Sequence, residues 1–346
     1  MIQTQMQSKP TVVLTSHVHP PVYDYLREHA QVIMPAWPDP LSEKELHAAL
    51  HKATAVMVFM HDRVDEDWLN HAPYLKLVAG ALKGYDNIDV QSCTEKGIYV
   101  SIVNDLLTLP TAELTVGLMI SLGRCINMGD KLVRSGGFVG WRPRFFGKGI
   151  ANTTVGLLGF GAIGKAIAKR LTGFDCRLLC WDQMQLSEPD AAQYNIRQTS
   201  FEDLLGQSDW IISCLPLTEQ TQHIINSQTL KLIRSDAMLI NPSRGSVVDE
   251  AAVADALEMG LLGGYAADVF EMEDWARSDR PGHIETQLLQ SPDRTVLTPH
   301  LGSAVDSVRQ QIEMEAAINI VDFLHGQPPR GRINELKQTA DQHLPG

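Results

Sequence analysis

The chain has 346 residues, a length that accommodates about two domains. Its composition, 44% hydrophobic and 20% charged, is that of an ordinary globular protein. A formal net charge of -12 and the lack of any long Lys/Arg run argue against a nucleic-acid partner. No apolar run reaches the roughly 20 residues that span a bilayer. The opening Met1-Ile2-Gln3-Thr4-Gln5-Met6 has no basic-then-apolar leader pattern. Five cysteines, odd in number and without metal-ligand spacing, read as free thiols in a reducing compartment. A cytoplasmic protein with no membrane partner and no metal is therefore expected.

In chain order, residues 11–15 read as a first strand, 23–29 and 42–53 as helices, and 55–60 and 77–82 as buried strands. Pro110 marks the start of a helix over 111–123, which is too apolar for a surface helix. A second strand–helix series begins at Thr154. Its strands fall at 155–158, 177–180, 210–214, 237–241, 264–268 and 295–297. Alternating strands and helices imply parallel sheets, and six such strands fit a dinucleotide-binding domain. A last helix over 308–324 returns the chain to the first domain. The expected division is 1–107 with 300–346, enclosing 108–299. The tail from Gln327, rich in Pro, Gly and charge, is expected to be mobile or to wrap a neighbour.

Gly159-Phe160-Gly161-Ala162-Ile163-Gly164 follows an apolar strand and leads into a helix. Gly159 permits the tight turn, Gly161 lets a pyrophosphate approach the backbone, and Gly164 allows close helix–strand packing. The helix N-terminus presents unpaired N–H groups to the phosphates. Asp182 ends the next strand about 20 residues on, where a carboxylate binds ribose hydroxyls and repels a 2′-phosphate. NAD is expected in preference to NADP. Gln183 adds no positive charge, and Arg177 or Lys169 are the cations that could alter this preference. Pro216 and Asp268, each beyond a strand end, complete the cofactor-side set.

Three further strand ends carry chemistry. Arg244, in Asn241-Pro242-Ser243-Arg244-Gly245, can clamp an oxyanion with two parallel hydrogen bonds. His300, in Thr298-Pro299-His300-Leu301-Gly302-Ser303, is the best general base. Glu273 is placed to hold that imidazole in one tautomer. The combination points to hydride transfer.

These motifs resemble the D-isomer-specific 2-hydroxyacid dehydrogenase family over roughly residues 10–325. The resemblance implies a Rossmann domain inserted into a smaller flavodoxin-like α/β substrate domain, a homodimer, and catalytic roles for Arg244, Glu273 and His300. The family usually carries an apolar residue between two glycines before Asp-Asn. Here the run is Leu82-Lys83-Gly84-Tyr85-Asp86-Asn87, so a second cation stands where substrate oxygens would sit. A compact, doubly charged anion suits such a site.

Lys83 in this run, Phe59-Met60-His61-Asp62-Arg63, Gly140-Trp141-Arg142-Pro143 and the stretch 268–281 resemble the branch of that family that oxidises phosphite. That resemblance implies NAD-dependent conversion of phosphite to phosphate. It also implies substrate contacts from Lys83, the Gly84 backbone and Arg244, with Met60, Trp141, Ser303 and Arg309 nearby. Phe146 stands where the branch can carry Tyr, and Asp306 would be unhelpful beside an anion unless it faces away or pairs with Arg309. Two alternatives remain open. One is a dehydrogenase for a small 2-keto or 2-hydroxy acid, using the same Arg, Glu and His. The other is a non-catalytic NAD-sensing scaffold.

Overall fold

The computed structural model describes residues 9–336, and the chain divides into two compact units. The first comprises the chain up to Leu107 together with Val305 onward; the second is Thr108–Ala304. The return to the first unit thus comes at Val305 rather than at residue 300.

The first unit runs β1 (Thr11–Leu14), α1 (Pro20–His29), β2 (Gln31–Ile33), α2 (Glu43–Leu50), β3 (Ala55–Val58), α3 (Glu66–Asn70), β4 (Leu77–Gly80), α4 (Val90–Glu95) and β5 (Tyr99–Ser101). Its five strands pair in parallel in the order β2-β1-β3-β4-β5, the flavodoxin-like arrangement. The strands are apolar on both faces. Val12, Leu14, Ala55, Met57, Leu77 and Ala79 enter one core, while Val13, Val56, Val58 and Val78 enter the other. α2 begins where a capping box predicts, with the Ser42 side chain accepting from Glu45 N and the Glu45 carboxylate accepting from Ser42 N.

The second unit opens with α5 (Thr108–Gly123) and α6 (Ile126–Arg134). α5 starts before Pro110 rather than after it, because first-turn N–H groups have no intrahelical acceptor and proline costs nothing there. Then follow β6 (Thr154–Leu158), α7 (Ala162–Leu171), β7 (Arg177–Trp181), α8 (Glu188–Tyr194), β8 (Ile196–Gln198), α9 (Phe201–Gln207), β9 (Trp210–Ser213), β10 (Met238–Asn241), α10 (Glu250–Glu258), β11 (Gly264–Ala267), α11 (Thr286–Leu289) and β12 (Thr295–Leu297). Seven parallel strands, not six, lie in the order β12-β11-β10-β9-β6-β7-β8. Strand order reverses between β6 and β9, the position at which open α/β sheets bind ligands beyond their C-terminal edge. β8 escaped the sequence pattern because this edge strand is only three residues long and mostly polar.

α12 (Asp306–Leu324) returns to the first unit and buries Ile312, Ala316, Ala317 and Ile320 against its sheet. The segment after it is not loose through residue 336. Ile102 N donates to Gly331 O and Ile333 N to Val100 O, each at 2.9 Å. The buried Asn334 side chain accepts from Val100 N at 2.8 Å and donates to Ile98 O at 3.0 Å. Proline and glycine at 326–331 therefore turn the chain back onto β5. Residues 337–346 of the tail lie outside the described residues.

Candidate active site

The phosphate turn of the second unit is built as its glycines require. Gly159 adopts φ +93, and a Cβ on it would lie 2.9 Å from Cys214 O. A Cβ on Gly164 would lie 2.5 Å from Gly159 O, so helix and turn meet backbone to backbone. At Gly161 a Cβ would meet nothing within 4 Å, leaving that side open to a ligand. Gly161 is also the N-cap of α7 and has no capping side chain. The first-turn N–H groups, including those of Ala162 and Ile163, are thus available to a pyrophosphate. Asp182 fixes the turn's other flank, its two oxygens accepting from Phe160 N at 2.7 Å and Met184 N at 2.9 Å. Arg177 is not at this edge: its guanidinium holds Thr154 Oγ1 at 2.8 Å, at the opposite end of β6. Lys169 is in the last turn of α7, away from its N-terminus. Pro216 lies exposed after β9, and its carbonyl accepts from Thr221 Oγ1 at 2.6 Å. This donor set fits a dinucleotide.

His300 and Glu273 are brought together. His300 Nδ1 lies 2.7 Å from Glu273 Oε2, and both side chains are 30% exposed. An ionised carboxylate only accepts, so Nδ1 carries the proton and Nε2 presents a lone pair. Glu273 is itself held, its Oε1 accepting from Phe270 N at 2.9 Å. His300 adopts φ +56, a left-handed conformation that costs a non-glycine residue of order 1 kcal/mol.

Asp268 holds His300 in that conformation. Its backbone O accepts from His300 N at 2.8 Å. Its carboxylate accepts from Thr298 Oγ1 at 2.6 Å, Leu301 N at 2.7 Å and Gly302 N at 2.8 Å, gripping the loop on both sides of the histidine. Burial raises the Asp268 pKa above the usual carboxylate value, and these hydrogen bonds oppose the shift. Expected as a cofactor contact, Asp268 is first of all the anchor of the His300 loop.

Arg244 emerges from the end of β10. The buried Asn241 shapes its turn, donating to Arg244 O at 2.8 Å and accepting from Ser243 Oγ at 2.9 Å. Arg244 Nη1 donates to Ser243 O at 2.9 Å. Gly245 was not singled out in the sequence, yet a Cβ there would fall 1.9 Å from Phe270 C and 2.1 Å from Glu271 N. Only glycine lets the Arg244 turn rest on the segment leading to Glu273. Ser303 follows on the His300 loop, half-buried. Trp141 is 79% exposed on the loop after α6, together with Phe138, Val139 and Phe146.

The remaining candidates belong to the first unit. Lys83 and Gly84 lie in the turn after β4, and Met60 lies in the turn after β3. These turns are tied to each other. Asn87 Nδ2 donates to Phe59 O at 3.0 Å and Asp62 O at 2.8 Å, while buried Asp62 accepts from Thr15 Oγ1 at 2.5 Å and Phe59 N at 2.7 Å. Burial raises the Asp62 pKa. Lys83 is half-exposed, with Asp105 Oδ1 at 3.8 Å from its Nζ. Met60 packs partly against the core. Arg309, in α12, has its guanidinium 5.8 Å from the Phe59 ring and 3.9 Å from Glu313 Oε1, and burial lowers its pKa. Asp306 is 93% exposed and pairs with His19 at 3.4 Å rather than with Arg309.

Residues 116–302 match the D-isomer specific 2-hydroxyacid dehydrogenase NAD binding domain. The chain belongs to that family. It is 35% identical over 336 residues to a glyoxylate reductase of Pyrococcus horikoshii, covering 94% of this chain and 96% of the relative. It is also 35% identical over 331 residues to a glyoxylate reductase of Thermofilum pendens, covering 95% of each. A Thermus thermophilus crystal structure superposes with TM-score 0.84 at 30% identity, covering 94% of this chain and all of that one. An Aquifex aeolicus D-lactate dehydrogenase, solved with NAD and lactic acid, superposes with TM-score 0.77 at 25% identity over 91% of this chain and 96% of that one. The family, an oxidoreductase with an NAD-binding domain, is thereby established. Three of these relatives are named for glyoxylate or lactate, and none for phosphite.

Proposed function

We propose that this family member oxidises phosphite to phosphate with NAD as hydride acceptor. Lys83 carries the reading: it puts a second cation where the family usually has an apolar residue, and its half-exposed Nζ lies a loose 3.8 Å from the exposed Asp105 carboxylate. Arg244 and Lys83 bind the oxygens of the dianion, and Met60, Trp141, Ser303 and Arg309 are assigned to its surroundings. His300 Nε2 takes a proton from the attacking water while Glu273 keeps Nδ1 protonated. The P–H bond breaks with its electron pair as the new P–O bond forms. NAD held at the Gly159–Gly164 turn would supply the acceptor for that hydride. Asp182 favours NAD over NADP, since its carboxylate would oppose a 2′-phosphate. A homodimer, as the family resemblance implies, would give the exposed Phe138, Val139, Trp141 and Phe146 of the loop after α6 a surface to meet.

The relatives' names favour a second reading more directly: transfer between NAD(H) and glyoxylate or a similar small 2-keto or 2-hydroxy acid. It uses the same Arg244, Glu273 and His300, and assigns Lys83 no role in the chemistry. At 35% identity the name of a relative does not fix the substrate. NADH absorbance on mixing the protein and NAD with phosphite, D-lactate or D-glycerate separates the two. Turnover with phosphite alone supports the first reading, and turnover with a hydroxy acid alone overturns it.

A further inference from the structure

Within the second unit, the stretch after Glu273 contains two arginines that the chemistry does not use. Arg277 is nearly buried, with a side chain 11% exposed. Its Nη1 donates to Glu271 Oε2 at 2.6 Å and to Ser246 Oγ at 2.9 Å, which uses both of its hydrogens, while His223 Nε2 lies 2.8 Å from the same Glu271 oxygen. These residues come from the loops after β11, β10 and β9. Its Nε and Nη2 hold the Asp279 carboxylate, each at 3.1 Å, which fixes the guanidinium plane.

The neighbouring contacts follow the same plan. Asp274 Oδ2 accepts from Ser246 N at 2.6 Å. Glu271 N donates to Glu250 Oε1 at 2.7 Å, and Glu250 N returns a bond to Glu271 Oε1 at 3.1 Å. Arg280 stacks on Trp275 at 3.8 Å and donates to Met272 O at 2.9 Å, on the residue immediately before Glu273.

We propose that Arg277 is a positioning residue: it sets the spacing between the Arg244 turn and the Glu273 segment by drawing the loops after β10 and β11 onto one guanidinium, the loop after β9 joining through His223 and Glu271. Ser246 lies just past Arg244, and Glu271 lies just before Glu273. A shift of either loop moves the oxyanion clamp or the histidine's partner. Gly245 leaves no slack, because the two loops already touch backbone to backbone. Arginine suits the post because it offers five donors in a rigid plane, whereas lysine offers one flexible charge. The assignment rests on the reading of Arg244, Glu273 and His300 as the reacting set.

The test compares wild type, Arg277→Met and Arg277→Lys in the intact chain, using whichever substrate the wild type turns over. Steady-state rates are taken across pH and normalised to folded protein, and the ¹⁵N signals of the His300 imidazole are recorded separately. Arg277→Met is expected to lower kcat roughly 100-fold, the scale of an angstrom's misplacement. It should also move the pH profile and mix the two His300 tautomers. Arg277→Lys should recover part of each effect. Normalised rates equal to those of wild type, with pH profile and tautomer unchanged, overturn the proposal. If wild type turns over none of the substrates, the reading of the site fails, while the imidazole signals still report whether Arg277 holds Glu273 against His300.

Discussion

The two sets of candidate residues are held in different ways. In the second unit, His300, Glu273 and the Arg244 turn are fixed before any ligand arrives: Asp268 grips the histidine loop at three points, and Gly245 admits a contact no other residue allows. In the first unit the frame is equally firm, with Asn87 and Asp62 tying the turns after β3 and β4. The cation it carries is not, since Lys83 is half-exposed and only loosely near Asp105. On the proposed function, preorganisation would be concentrated where bonds are made and broken, with a flexible ammonium left to meet the substrate.

The sharpest way to break this contrast is at the base. His300→Ala should lower kcat by about 10²- to 10⁴-fold with the fold intact by circular dichroism, the range typical of a general base. Near-full turnover would remove His300 from that role. Gly245→Ala should be almost as damaging for a different reason. Its Cβ has to displace the 270–271 backbone, so the thermal midpoint and kcat should fall together. An unchanged midpoint would mean that the two loops are not in register as described.

Lys83→Ala should act on KM rather than on the fold, raising KM for a dianionic substrate by about tenfold or more while the thermal midpoint moves little. That is the cost of losing one charge-assisted contact of about 1.5–3 kcal/mol. An unchanged KM would count against the clamp. The smallest effect concerns Glu250, whose pKa burial pushes up to about 7 from an ordinary 4.5. Between those values the folded state binds more protons than the unfolded one. The stability tied to this group is therefore present below about pH 4.5 and lost as pH rises through about 7. Glu250→Gln should flatten that part of the stability–pH curve, by at most on the order of 3 kcal/mol. An identical slope in the variant would show that Glu250 titrates normally.

Much of the fold was legible because its parallel strands are apolar on both faces, so residues 55–58, 77–80 and 210–213 stand out as short continuous runs. β2, β5 and β8 did not, because edge strands of three residues carry little pattern; β12, equally short, was legible beside the His300 motif. The glycine turn, Asp182, Arg244, Glu273 and His300 were legible because each sits beside a strand end in a recognisable spacing. The roles of Asp268 as anchor, Gly245 as contact point and Arg277 as tie were not. Their partners are distant in sequence, as with Arg277 and Ser246, 31 residues apart. Only packing brings such groups together.

The most direct test is the ratio of kcat/KM for phosphite to that for D-glycerate, measured with NAD on wild type and on Lys83→Ala. A ratio far above one is expected in wild type and should collapse in the variant, with the folded fraction unchanged. A wild-type ratio below one, or a high ratio that Lys83→Ala leaves intact, would contradict the phosphite reading.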